Sequence, residues 1–275
     1  MRKNSVWVAA SCAAILGLGV AAGPAAATMV KVTVTNLAPT NGVYIMPAWV
    51  GFHDGTFDTY DLGSAASVGI ERAAEDGDNS ALHNLFVASG LGTADGSVGM
   101  GPAASGDVKS ATFNLSRMNP NNRFFSFVQM LIPSNDGFWG NDASNAYQIF
   151  DNAGNFLGAS ILVLGSDVLD AGTEVNDEAF AAGNTAFFGQ AMPNTGANEN
   201  GVVHAHPGYI PGGEILSFVG NNGFANVNFT GADFTQQGYQ IARITVEEVD
   251  EPAIALLFGT GLLGLGLGCY RRRRV

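Results

Sequence analysis

Val30-Lys31-Val32-Thr33-Val34-Thr35 alternates apolar and polar side chains with period two, the pattern of a strand with one face in a core and the other in water. Similar runs recur at 44–50, 111–117, 123–132, 161–164, 214–219, 225–230 and 239–246. Turn sequences punctuate them, among them Asn41-Gly42, Asp54-Gly55, Asn135-Asp136-Gly137, Asn152-Ala153-Gly154 and Asn221-Asn222-Gly223. Only 64–75 reads as a helix, and it is short. About eight strands joined by connections longer than hairpins need predict an all-β, antiparallel, two-sheet β-sandwich with long loops. Long loops on a rigid scaffold are where function tends to sit.

Charge narrows the partners. Between residues 28 and 250 six basic residues face 23 acidic ones, a formal balance of −17. Such a surface repels phosphate backbones and anionic lipid, which excludes nucleic acid as a partner. It favours divalent cations wherever carboxylates converge. No Pro/Ser-rich linker, charge block or internal repeat divides this stretch, so 28–250 reads as one domain. The two cysteines, Cys12 and Cys269, both fall outside it. The domain is therefore held by core packing, with a metal as the remaining kind of staple.

Both ends of the sequence speak of export. Arg2 and Lys3 precede an apolar run at 6–20 and the small residues Ala25-Ala26-Ala27, the layout of a signal peptide over 1–27. At the other end Asp250-Glu251-Pro252 leads into a glycine-rich apolar run, Ala253 to Cys269, closed by Tyr270 and Arg271 to Arg274. As a helix that run is about 25 Å long, enough for a short bilayer span. The arginines would be held on the cytoplasmic side. Segment 251–275 resembles the PEP-CTERM sorting tail of Gram-negative bacteria, with Asp-Glu-Pro where that tail has Pro-Glu-Pro. The resemblance implies handling by an exosortase-like processing enzyme, a cell-surface or extracellular location, and membrane contact only through the tail. A plain C-terminal anchor is the simpler alternative.

Three carboxylates stand out in the loops. Asp170-Ala171-Gly172-Thr173-Glu174 sets two of them four residues apart across a glycine turn, and Asp136 sits in a Ser134-Asn135-Asp136-Gly137 turn. Calcium takes six to eight oxygens, mixing carboxylates with carbonyls, whereas zinc wants His or Cys. Taken alone, the same residues are also ordinary turn chemistry. Read with Val32–Pro39, Pro47-Ala48-Trp49-Val50-Gly51-Phe52-His53-Asp54-Gly55, Met130–Gly140 and Leu169–Glu178, followed by His206-Pro207-Gly208, they resemble the spondin domain of the F-spondin family. That resemblance covers nearly all of 28–250. It implies a C2-like sandwich, secretion, and a calcium ion held at one end by Asp136, Asp170 and Glu174. The chain departs from the family at Asn135 for a proline, Gly137 for a tryptophan and Glu174 for an aspartate, the last a methylene longer. It also lacks the disulfides of animal members.

Other constellations compete for a chemical reading. His204-Ala205-His206 is half of a zinc site or a pair of loop histidines. His53-Asp54 with Ser64 or Ser67 has the residue types of a hydrolase triad, without a Gly-x-Ser-x-Gly turn around either serine. Glu71, Glu75 and Asp76 fit the polar side of the short helix. Phe138-Trp139 would stack on a sugar if exposed and anchor its loop if buried. The reading that covers most of these features is an exported, non-catalytic calcium-binding module. It would attach to a surface or matrix through an extracellular polysaccharide or surface protein. Its rival is a secreted metal-dependent hydrolase acting on matrix polymer, which would gather His53, His204 or His206 with carboxylates in a deep cleft.

Overall fold

The computed structural model describes residues 27–178, 196–221 and 226–249. Its strands in chain order are β1 (Ala27–Asn36), β2 (Tyr44–Ile45), β3 (Ala48–His53), β4 (Gly92–Val98), β5 (Val108–Ser116), β6 (Phe124–Ile132), β7 (Gly137–Gly140), β8 (Tyr147–Gln148), β9 (Ala159–Leu164), β10 (Leu169–Asp170), β11 (His204–Ala205), β12 (Val219–Asn221), β13 (Asn226–Asn228) and β14 (Gln240–Val249). One sheet has the order β5-β1-β14-β9, the other β11-β10-β7-β6-β3-β4 with β2 and β8 also on β6, and β12 pairs with β13. The all-β sandwich expected from the alternation is the fold.

β1 shows why. Val30, Val32 and Val34 are buried while Lys31, Thr33 and Thr35 face outward. Across the ladder Val32 pairs with Val246 and Val34 with Ile244 of β14, so the apolar faces of both strands enter one core. β3 breaks the period, since all six of its residues are buried. Both faces of this sheet are covered. Ala48, Val50 and Phe52 point into the sandwich, whereas Trp49 packs with Ile70, Leu82, Phe86 and Phe138 in a second cluster. That cluster lies under two helices, α1 (Val68–Asp76) and α2 (Ser80–Ser89).

The helix expected at 64–75 starts later because Ser67 caps it, its Oγ accepting the Ile70 N–H at 3.3 Å. It stops at Gly77, whose φ of 65° suits a residue without Cβ. Ser67→Ala is expected to lower stability by about 1 kcal/mol, read from urea unfolding, and an unchanged midpoint would mean the cap adds nothing. α2 was not expected. Only Leu82 and Phe86 are buried along it, too narrow a stripe to produce a helical period. The strand expected at 214–219 is instead a 3-10 turn at Ile215–Ser217 leading into β12. The Glu178 carboxylate accepts the N–H groups of Ile210 and Ile215 and so takes up donors that a ladder would need.

Strand directions place the loops. Met29 of β1 pairs with Val249 and Asn36 with Ala242, so Ala27 and Val249 lie at one pole. The Asn36 side-chain amide donates to Val43 O, and the adjoining Tyr44 pairs with Ile132 at the end of β6. Residues 133–136 therefore turn over at the opposite pole.

Candidate functional site

At that pole β7 and β10 pair in register, Gly137 with Asp170, which brings the two carboxylate turns side by side. Asp136 is fully buried. Its Oδ2 accepts the Thr173 N–H at 2.7 Å, the Thr173 hydroxyl at 3.1 Å and the Glu174 N–H at 3.0 Å. Its Oδ1 has no hydrogen-bond partner among the described residues. Burial, and then the charge of Asp170, lift its pKa to about 6 against the hydrogen bonds from Glu174 and Thr173.

Glu174 is nearly as buried. Its Oε1 accepts the Gly196 N–H at 2.7 Å, and its Oε2 is without a hydrogen-bond partner among the described residues. Burial raises its pKa to about 7; the Gly196 N–H opposes this, while the carboxylates of Glu75, Asp136 and Asp76 add to it. Asp170 is satisfied within its own turn. Its Oδ1 accepts the Gly172 N–H at 2.7 Å and its Oδ2 the Asn176 amide. Gly172 is required here, because at φ 69° a Cβ would stand 2.5 Å from the Val202 nitrogen.

The turns that bear the expected residues thus meet, but the side chains do not form a ready-made cage. Among the described residues no three acidic or imidazole groups are placed to hold one ion. The donor chemistry still fits a cation. Asp136 Oδ1 and Glu174 Oε2 are buried without hydrogen-bond partners among the described residues, and calcium completes its shell from carbonyls and water as readily as from carboxylates.

Glu75 and Asp76 join this end of the molecule, which sequence reasoning missed. Glu75 is buried in the last turn of α1, and Asp76 pairs with Arg72. A helical wheel puts Glu75 on the polar side, opposite Ile70 and Ala74. Tertiary structure buries it, so no local signal was available.

The histidines do not assemble a hydrolytic site. His204 Nδ1 donates to Val202 O at 2.9 Å, whereas His206 Nδ1 accepts the Gly208 N–H at 3.0 Å. The two imidazoles hold opposite tautomers, and neutral His206 carries its proton on Nε2, where a metal would need a lone pair. His53 is fully buried; its Nδ1 accepts the Gly55 N–H and its Nε2 lies 2.8 Å from Ser126 Oγ. Nε2 is then the donor, which leaves Ser126 without a base. Ser67 is occupied as the α1 cap. Phe138 and Trp139 are buried anchors, which removes them as a sugar platform.

A β-sandwich with paired carboxylate turns at one pole is the class of module that these features define. A family-level comparison matches residues 47–192 to the family described as Spondin_N, and the chain belongs to that family of extracellular modules. The match includes Asp136, Asp170 and Glu174 and ends before His204. A search of curated proteins finds no match. Among the described residues no helix is long and apolar enough to cross a membrane, and segments 1–26 and 250–275 lie outside those residues.

Proposed function

We propose that the chain is an exported, non-catalytic calcium-binding module that associates with the cell surface or an extracellular polymer. The observation that carries this reading is the pair of buried oxygens without hydrogen-bond partners among the described residues, Asp136 Oδ1 and Glu174 Oε2. Asp136, Glu174 and the Asp170 turn would hold the ion together with main-chain and amide oxygens. Bound there, calcium supplies positive charge among buried carboxylates and ties together turns far apart in sequence. Because these carboxylates are buried, the ion orders the loops, and exposed loop atoms make the contact with a polysaccharide or surface protein. Family membership supports the extracellular setting and a non-catalytic role.

The domain plan behind this reading is a signal peptide at 1–27, the module at 28–250 and a PEP-CTERM-like tail at 251–275. Metal content and intact mass of the protein released by its host test both halves. Calcium at one ion per chain, on a product ending near Glu251, is the expected result. Zinc would favour the rival hydrolase reading, and a product still carrying Arg271 to Arg274 would make the tail a plain anchor.

A further inference from the structure

We propose that a groove at the pole of the Asp136 turn, separate from the carboxylates there, binds an uncharged polysaccharide chain, with Tyr44 as its stacking platform. This rests on the polymer-association half of the reading above and names the surface and the class of polymer.

Four chain segments build the groove. They are the turn after β1 at 40–42 with Tyr44 of β2, residues 104–105 before β5, and the paired residues 219–220 of β12 and 227–228 of β13. Its volume is about 490 Å³, inside the range of small-ligand sites, roughly 300–1,000 Å³. The walls are braced from within the protein. Ser105 Oγ donates to Ala38 O at 2.6 Å, and the Gly231 N–H donates to Asn41 O at 3.0 Å. The Tyr239 hydroxyl accepts the Val43 N–H at 3.1 Å and donates to Gly231 O at 3.2 Å, which ties the same turns together. A site held in this way binds at a lower ordering cost.

The chemistry of the walls selects the ligand. Tyr44 is half-buried, and Phe229 meets its ring edge-on, at 5.9 Å between centroids and 81° between planes. An aromatic face fixed like this takes the C–H face of a sugar ring. Beside it the Thr40 hydroxyl and the Asn41 amide have no hydrogen-bond partner among the described residues. Asn228 Oδ1 accepts from Thr230, and its amide N–H groups remain to donate. Such groups pair with sugar hydroxyls. Among the described residues no Asp, Glu, His, Lys or Arg lines the groove. Burial, and then the charge of Asp107, raise the Tyr44 pKa, so the hydroxyl stays neutral in a negative local field. That field and the −17 of residues 28–250 repel a uronate or phosphate polymer and leave an uncharged glycan unopposed. The cleft between residues 56–67 and α2 lacks this neutrality, because Asp58 and Asp61 stand in its wall. A surface protein would want an apolar patch, and Val219 is the one large apolar side chain exposed in this lining.

The test applies the processed protein to an array of uncharged oligosaccharides, with uronate oligomers as the acidic counterpart, and to host cells stripped by protease. Binding to an uncharged oligosaccharide but to no uronate, and retention on stripped cells, are expected. Tyr44→Ala should weaken array binding by about tenfold or more, and Tyr44→Phe should keep most of it. Thr40→Ala should weaken it by about threefold, through one lost hydrogen bond. If circular dichroism shows Tyr44→Ala misfolded, Thr40→Ala decides, since that hydroxyl holds nothing in the fold. Folded variants that bind as the parent does overturn the groove assignment. Binding to uronates alone overturns the uncharged class. Loss of the protein from stripped cells, with no oligosaccharide bound, hands the contact to a surface protein and overturns it too. A parent that binds neither the array nor untreated cells overturns the association reading itself, and this proposal with it.

Discussion

Asp136→Ala is expected to abolish the rise in melting temperature that calcium gives the parent protein. An ion bound only by the native state adds RT ln(1 + [L]/Kd), about 2.7 kcal/mol at one hundred times Kd. Asp136 is central to that gain, because it is fully buried and one of its oxygens is outside any hydrogen bond among the described residues. The variant should also be weaker in chelator. Its other oxygen holds the N–H groups of Thr173 and Glu174, and each donor left buried and unpaired costs about 1–3 kcal/mol. Removing a carboxylate raised by burial and by Asp170 offsets part of that loss. Differential scanning calorimetry of parent and variant, each in calcium and in chelator, separates the two effects. A variant that still gains stability from calcium would show that the ion binds elsewhere.

Acid should destabilise the fold through His53. Burial holds this imidazole's pKa down to about 4, against the pull of Asp54. Above its ordinary value near 6.5 the group is neutral in folded and unfolded chains alike. As pH falls from there toward 4, the unfolded chain takes up a proton that the native one refuses, so stability is lost across that window. A gap of about 2.5 units corresponds to about 3 kcal/mol. Asp136 and Glu174, with pKa values raised to about 6 and about 7, work in the opposite sense over an overlapping range, so the parent's own pH profile mixes these contributions. Comparison with His53→Gln isolates the histidine, since the amide still donates to Ser126 without titrating. Urea unfolding at pH 7 and pH 4 should move the difference between parent and variant by about 3 kcal/mol in the variant's favour. A constant difference would mean that the imidazole is free to charge in the native state.

The sandwich was legible wherever one strand face meets water. β1 and β14 declare themselves by period two, because Lys31, Thr33 and Arg243 alternate with buried valines and isoleucines. β3 gave a weaker signal for the opposite reason, since a second core under α1 and α2 buries its outer face and removes the alternation. β4 was missed because Gly92-Thr93-Ala94-Asp95-Gly96-Ser97-Val98 has too few large apolar side chains to show a period. At the site, Asp136, Asp170 and Glu174 were visible as carboxylates in glycine turns, and the pairing of β7 with β10 does bring their turns together. Which of their oxygens accept hydrogen bonds was not visible. Whether an oxygen is free or held by a main-chain N–H depends on tertiary contacts, and so does the burial of Glu75 on a helical face that reads as polar.

The poles of the sandwich bear on how the module can be handled. Ala27 and Val249 leave from the end opposite the Asp136 turn, and β14 is ten residues long. At about 3.3 Å per residue β14 spans about 30 Å, which separates Val249 from the pole of the carboxylate turns. A tag, a fusion partner or a solid support joined next to Ala27 or Val249 would sit at the pole opposite those turns. Trimming the chain beyond Val249 would leave the far pole untouched.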